Sequence, residues 1–138
     1  MTLTFHYKNV QRPDGSTVKT PSIPVILMGH EKLETFALLD SGADISAIPL
    51  RIARILGLNL EGEKMTAYGI GGKVESVETT ISLMVEKGHE RYTFNVLVKV
   101  ILGDYDFPIL LGRDGFFDKF VISFDQQRER ILLKRVNS

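Results

Sequence analysis

Residues 37–44 read Ala-Leu-Leu-Asp-Ser-Gly-Ala-Asp. The apolar residues complete a strand over 33–39, and that strand delivers one carboxylate, Asp40, into a tight Ser-Gly turn. A carboxylate carried into apolar surroundings needs hydrogen-bond donors around it. Ser41 offers a hydroxyl, and Gly42 lets backbone amides approach closely. Taken alone, Asp-Ser-Gly is in most proteins an ordinary turn closing a hairpin, so its surroundings must separate the two readings.

Working outward, the chain is mostly short strands and turns. Residues 23–28 form a strand joined to 33–39 by Gly29-His30-Glu31-Lys32, a loop of hairpin length. Nearer the start, residues 2–7 alternate apolar and polar, Pro13-Asp14-Gly15 makes a turn, and residues 16–19 run back, which predicts an N-terminal hairpin. The period changes over 48–56, where Pro49 stands at a first helical position, Ile52, Ile55 and Leu56 share a face, and Gly57 ends a short helix.

Residues 77–85 and 92–100 alternate with period two and predict two half-buried strands joined through Lys87-Gly88-His89-Glu90. Residues 107–111 form a buried strand ending at Gly112, followed by a helical turn through Phe116-Phe117-Asp118. Residues 121–124 and 131–134 close the chain as a last hairpin across Gln126-Gln127. Many short strands against one or two short helices predict an all-β, closed barrel-like domain. We expect one domain over 1–138, with 1–21 as an N-terminal hairpin extension; a chain of 138 residues with 43% hydrophobic composition suits one compact core.

Composition narrows the function. Seventeen basic residues balance seventeen acidic ones, which leaves no positive field to hold nucleic acid or an anionic membrane. The chain has no cysteine, so disulfides and thiolate zinc sites are excluded. His6, His30 and His89 lack ligand spacing, and no metal site is expected. The first fifteen residues carry no signal-peptide pattern, and no apolar run approaches the roughly 18 residues a membrane span needs. The expectation is a soluble, cytoplasmic chain.

Two further segments give Asp40 a context. Gly69-Ile70-Gly71-Gly72 lies between two predicted strands, and three glycines in this run make a tip whose backbone can press on a ligand. A phosphate loop is excluded, because no Ser or Thr follows Lys73 and no long helix begins there; a plain flexible turn remains the alternative. Ile109-Leu110-Leu111-Gly112-Arg113-Asp114 ends an apolar strand in Gly and sets a guanidinium beside a carboxylate. Asp44 is the expected bidentate partner of Arg113, against the alternative of an unpaired surface arginine.

Together these pieces resemble the retroviral-type aspartic proteases, the retropepsins. Asp40-Ser41-Gly42-Ala43-Asp44 resembles the catalytic motif, Gly69-Ile70-Gly71-Gly72 the flap tip, and Leu111-Gly112-Arg113-Asp114 the segment that ends the family's second half. The resemblance covers roughly residues 22–125. About twenty preceding residues, the helix and a longer final hairpin bring the chain closer to cellular and bacterial single-domain relatives.

The resemblance implies an endopeptidase active as a homodimer, with a peptide or protein substrate held between subunits under two flaps and no cofactor. Activating water against a peptide carbonyl takes two carboxyl groups, one ionised and one protonated. This chain has a single Asp-Ser-Gly, so Asp40 from each subunit would complete the pair. Ser41 would interlock the two turns, with Gly42 supporting the site. Ala43 and Asp44 would bind substrate with Gly69, Ile70, Gly71 and Gly72 closing over it, and Arg113 with Asp114 would brace the motif. The alternative is a catalytically silent dimerisation or peptide-binding module of the same fold. The intact Asp40-Ser41-Gly42 favours the enzyme, since a module without turnover has no use for a costly carboxyl pair.

Overall fold

The structure, a computed structural model, describes residues 2–69 and 72–136. In chain order its strands are β1 (Thr2–His6), β2 (Lys8–Gln11), β3 (Thr17–Thr20), β4 (Ser22–Met28), β5 (Lys32–Leu39) and β6 (Ser46–Pro49). One helix, α1 (Leu50–Ile55), separates these from β7 (Lys64–Gly69), β8 (Gly72–Lys87), β9 (Glu90–Ile101) and β10 (Ile109–Leu111). A 3-10 turn at Phe117–Lys119 precedes β11 (Phe120–Asp125) and β12 (Arg130–Arg135). Among the described residues no helix is long and apolar enough to cross a membrane.

The main sheet runs β4-β5-β10-β6-β9-β8-β7, and β4 also pairs with β8. Hydrogen bonding therefore returns on itself as a ring of six strands, with β7 appended, which is the barrel-like all-β architecture expected. The sixteen-residue β8 makes this possible. Its first half pairs with β7 and Ser82–Met84 pairs with β4, while β9 lies along its other edge.

Period-two alternation fills the ring. Val77, Ile81, Leu83 and Val85 of β8 and Val96, Val98 and Val100 of β9 are buried, together with Ile23, Val25 and Leu27 of β4. Each such side chain contributes roughly 1.5–3 kcal/mol by leaving water. The helix ends where Gly57 takes φ +68°. There the Leu58 N–H donates to Ala53 O and the Gly57 N–H to Arg54 O, both at 3.1 Å, a Schellman closure. Pro49 stands one residue before the helix, in extended backbone, because its φ of −72° fits either position.

The N-terminal pairing differs from the expected hairpin. The Pro13-Asp14-Gly15 turn joins β2 to β3, whereas β1 pairs antiparallel with β12, Thr2 opposite Lys134. Leu3 and Phe5 bury in the common core, and that burial outweighs the shorter loop a local hairpin would close. The second sheet, β1-β12-β11, docks through aromatic side chains. Phe120 meets Tyr92 edge-on at 5.8 Å and Phe116 at 5.3 Å, and the Arg135 guanidinium lies 5.3–5.7 Å from the Tyr92, Phe94 and Phe120 rings. At the turn between β11 and β12 the Arg128 backbone N–H and then its guanidinium bond Asp125, holding that carboxyl below its ordinary range.

Candidate active site

Asp40 follows the last residue of β5, and its position is set by β10. The two strands run parallel, Leu111 beside Leu39, and the Asp40 N–H continues the ladder by donating to Leu111 O at 3.0 Å. The chain then turns sharply. The Ala43 N–H donates to Asp40 O at 3.1 Å, and the Gly42 N–H donates to Asp40 Oδ1 at 2.9 Å. The carboxylate thus has the backbone donor that Gly42 was expected to allow. Asp40 is half-buried, and Ser41 and Gly42 are exposed.

After the turn the chain crosses the end of β10 and pairs on its far side. The Arg113 N–H donates to Ala43 O at 2.9 Å and the Asp114 N–H to Asp44 O at 2.8 Å, and Leu110 then pairs with Ala47 of β6. Gly112 lies inside this crossing. A Cβ there would stand 2.7 Å from the Ile45 carbonyl carbon and 2.9 Å from Ala43 O, so glycine is required by backbone on the opposite side. Ser46, fully buried, accepts the Gly112 N–H on its Oγ at 3.0 Å. Sequence reasoning missed Ser46. Its only trace is one small polar residue in the run Ile45-Ser46-Ala47-Ile48.

Arg113 and Asp114 brace the motif in a different manner from the one expected. Among the described residues the ion pairs do not join Arg113 to Asp44. Backbone hydrogen bonds join the two segments, and Asp44 turns its Oδ1 to the Ile45 N–H at 2.8 Å. Both Arg113 and Asp114 expose their side chains.

β7 and β8 form the hairpin expected around the glycine-rich run, with Gly69 opposite Gly72. Ile70 and Gly71 lie outside the described residues. Between this hairpin and the crossing runs an open groove of about 590 Å³. Gly42, Ala43 and Asp44 line one side and Ala67, Tyr68 and Gly72 the other. Ala47, Lys99 and Leu110 also line it, as does the segment Tyr105-Asp106-Phe107, which the sequence did not single out. The volume lies within the ordinary range of ligand-binding clefts. Asp40 and Ser41 precede the wall and are not part of it. Among the described residues no cluster of three His, Cys, Asp or Glu side chains has metal-holding geometry.

Residues 23–114, about two thirds of the chain, match the family described as aspartyl protease, and the chain belongs to that family. Its fold is retropepsin-like. A crystal structure of a retropepsin-like aspartic protease from Rickettsia conorii superposes with a TM-score of 0.61 at 20% identity, covering 96% of this chain and 92% of that one. EIAV protease complexed with the inhibitor HBY-793 aligns at 27% identity with a TM-score of 0.49, covering 72% of this chain and 88% of that one. No curated protein matches the chain.

Proposed function

We propose that this chain is an aspartic endopeptidase that works as a homodimer, its whole length forming one domain. The observation that carries the reading is a single Asp-Ser-Gly whose carboxylate is held by the Gly42 N–H beside an open groove. Family membership over the segment that contains both Asp40 and Gly112 supports it. Two-fold symmetry brings the Asp40 carboxyls together, and like charges that close cannot both stay ionised, so the pair holds one proton. The ionised member takes a proton from water as the water oxygen attacks the peptide carbonyl carbon. The protonated member gives its proton to the carbonyl oxygen. Collapse of the tetrahedral intermediate breaks the C–N bond, with a proton delivered to the leaving nitrogen.

Other residues take supporting roles in this reading. Ser41 links the two turns across the axis, Gly42 orients the carboxylate, and Ala43 and Asp44 hold the substrate backbone. The β7–β8 hairpin, with Gly69, Ile70, Gly71 and Gly72 at its tip, covers the peptide and limits water.

The test is cleavage of a proteome-derived peptide pool by wild type and Asp40→Asn, with sedimentation to count subunits. Loss of the shared carboxyl should cost about 10³-fold or more in kcat/KM with the fold retained. Cleavage at the wild-type rate by the variant, or by a strictly monomeric wild type, overturns the reading. A folded wild-type dimer that binds peptides without cleaving them would instead be a silent module.

A further inference from the structure

Three adjacent strands place one row of side chains along the groove. Leu110 of β10 stands opposite Ala47 of β6, and Ala47 stands opposite Lys99 of β9. All three line the groove. Val98 and Val100, on either side of Lys99, are 1% and 0% exposed in the core, so strand alternation sets Lys99 on the opposite, groove-facing side. The row continues to Glu78 of β8, which does not line the groove, and among the described residues Lys99 takes part in no ion pair.

The groove's other charges have neighbours. Asp106 is bonded by Arg51 at 3.3 Å, Lys73 stands over the Tyr68 ring at 5.8 Å, and Asp44 accepts the Ile45 N–H. The small side chains of Ala43, Ala47 and Ala67 line the same groove, and Ala47 is the direct strand neighbour of Lys99.

We propose that Lys99 determines specificity by selecting an acidic side chain, Asp or Glu, in the peptide that occupies this groove. The inference rests on the endopeptidase reading above. Lys99 is a half-buried residue beside Ala47, with its charge on the groove side, and a carboxylate supplied by the ligand would form a charge-assisted hydrogen bond that strengthens as the bound peptide displaces water. A two-fold dimer contributes Lys99 twice, so the acidic preference falls at matched distances on both sides of the scissile bond.

The experiment digests a proteome-derived peptide pool with the full chain and maps residue frequencies around each cut by mass spectrometry. Wild type should favour Asp and Glu over Asn and Gln about tenfold at one matched pair of positions. Lys99→Arg should keep that preference, Lys99→Met should erase it, and Lys99→Glu should turn it toward Lys and Arg. Cuts without acidic enrichment in wild type, or enrichment that survives in Lys99→Met, overturn the proposal and leave the endopeptidase reading standing. Absence of any cut by wild type overturns both. If Lys99→Met fails to fold, Lys99→Glu gives the same reading, and acidic enrichment that survives in it overturns the proposal.

Discussion

The crossing at residues 40–46 and the β7–β8 hairpin border the same groove and are held in opposite ways. At the crossing, β10 lies between β5 and β6, Ser46 is fully buried, and backbone bonds from Asp40, Gly112, Arg113 and Asp114 leave no slack. Among the described residues of β7 whose burial is given, only Ala67 is buried, Tyr68 is 76% exposed, and the strand pairs with β8 alone. In the proposed endopeptidase, acid-base chemistry would need its carboxylate fixed within a fraction of an ångström, and Asp40 stands where the chain is over-determined. In the same reading, covering a substrate would need an element that opens at little cost, which a strand paired along one edge allows.

Three substitutions would break or sharpen this contrast. Gly112→Ala drives a methyl group into the Ile45 and Ala43 backbone and should cost about 3 kcal/mol, read as a lowered midpoint in chemical denaturation. An unchanged midpoint would show that the crossing can relax. Ser46→Ala leaves the buried Gly112 N–H without its acceptor and should cost about 1–2 kcal/mol in the same measurement, with activity falling as the turn loosens. Tyr68→Ala, on the hairpin, should shift the midpoint by less than about 0.5 kcal/mol while raising KM for peptide. A large loss of stability there would mean that the hairpin is as tightly built as the crossing.

Much of this was legible in sequence because it is local. Val77 to Val85 and Val96 to Val100 announce their strands by alternation, Gly57 announces the helix end, and Asp40-Ser41-Gly42 announces the turn. What escaped depends on distant chain. β1 pairs with β12 across more than a hundred residues, and its alternation says that it is a strand without saying whose neighbour it is. Arg113 shows a charge in sequence, which drew attention to an ion pair, while the bonds that join it to the motif come from backbone that every residue carries. Ser46 acts through a buried hydroxyl whose partner, Gly112, is 66 positions away.

The antiparallel match of Thr2 with Lys134 brings the first and last strands side by side, a few ångströms apart. A short glycine linker could therefore stitch these ends together and new ones be opened at the exposed Gly88-His89 turn, giving a circular permutant with the same ring of strands.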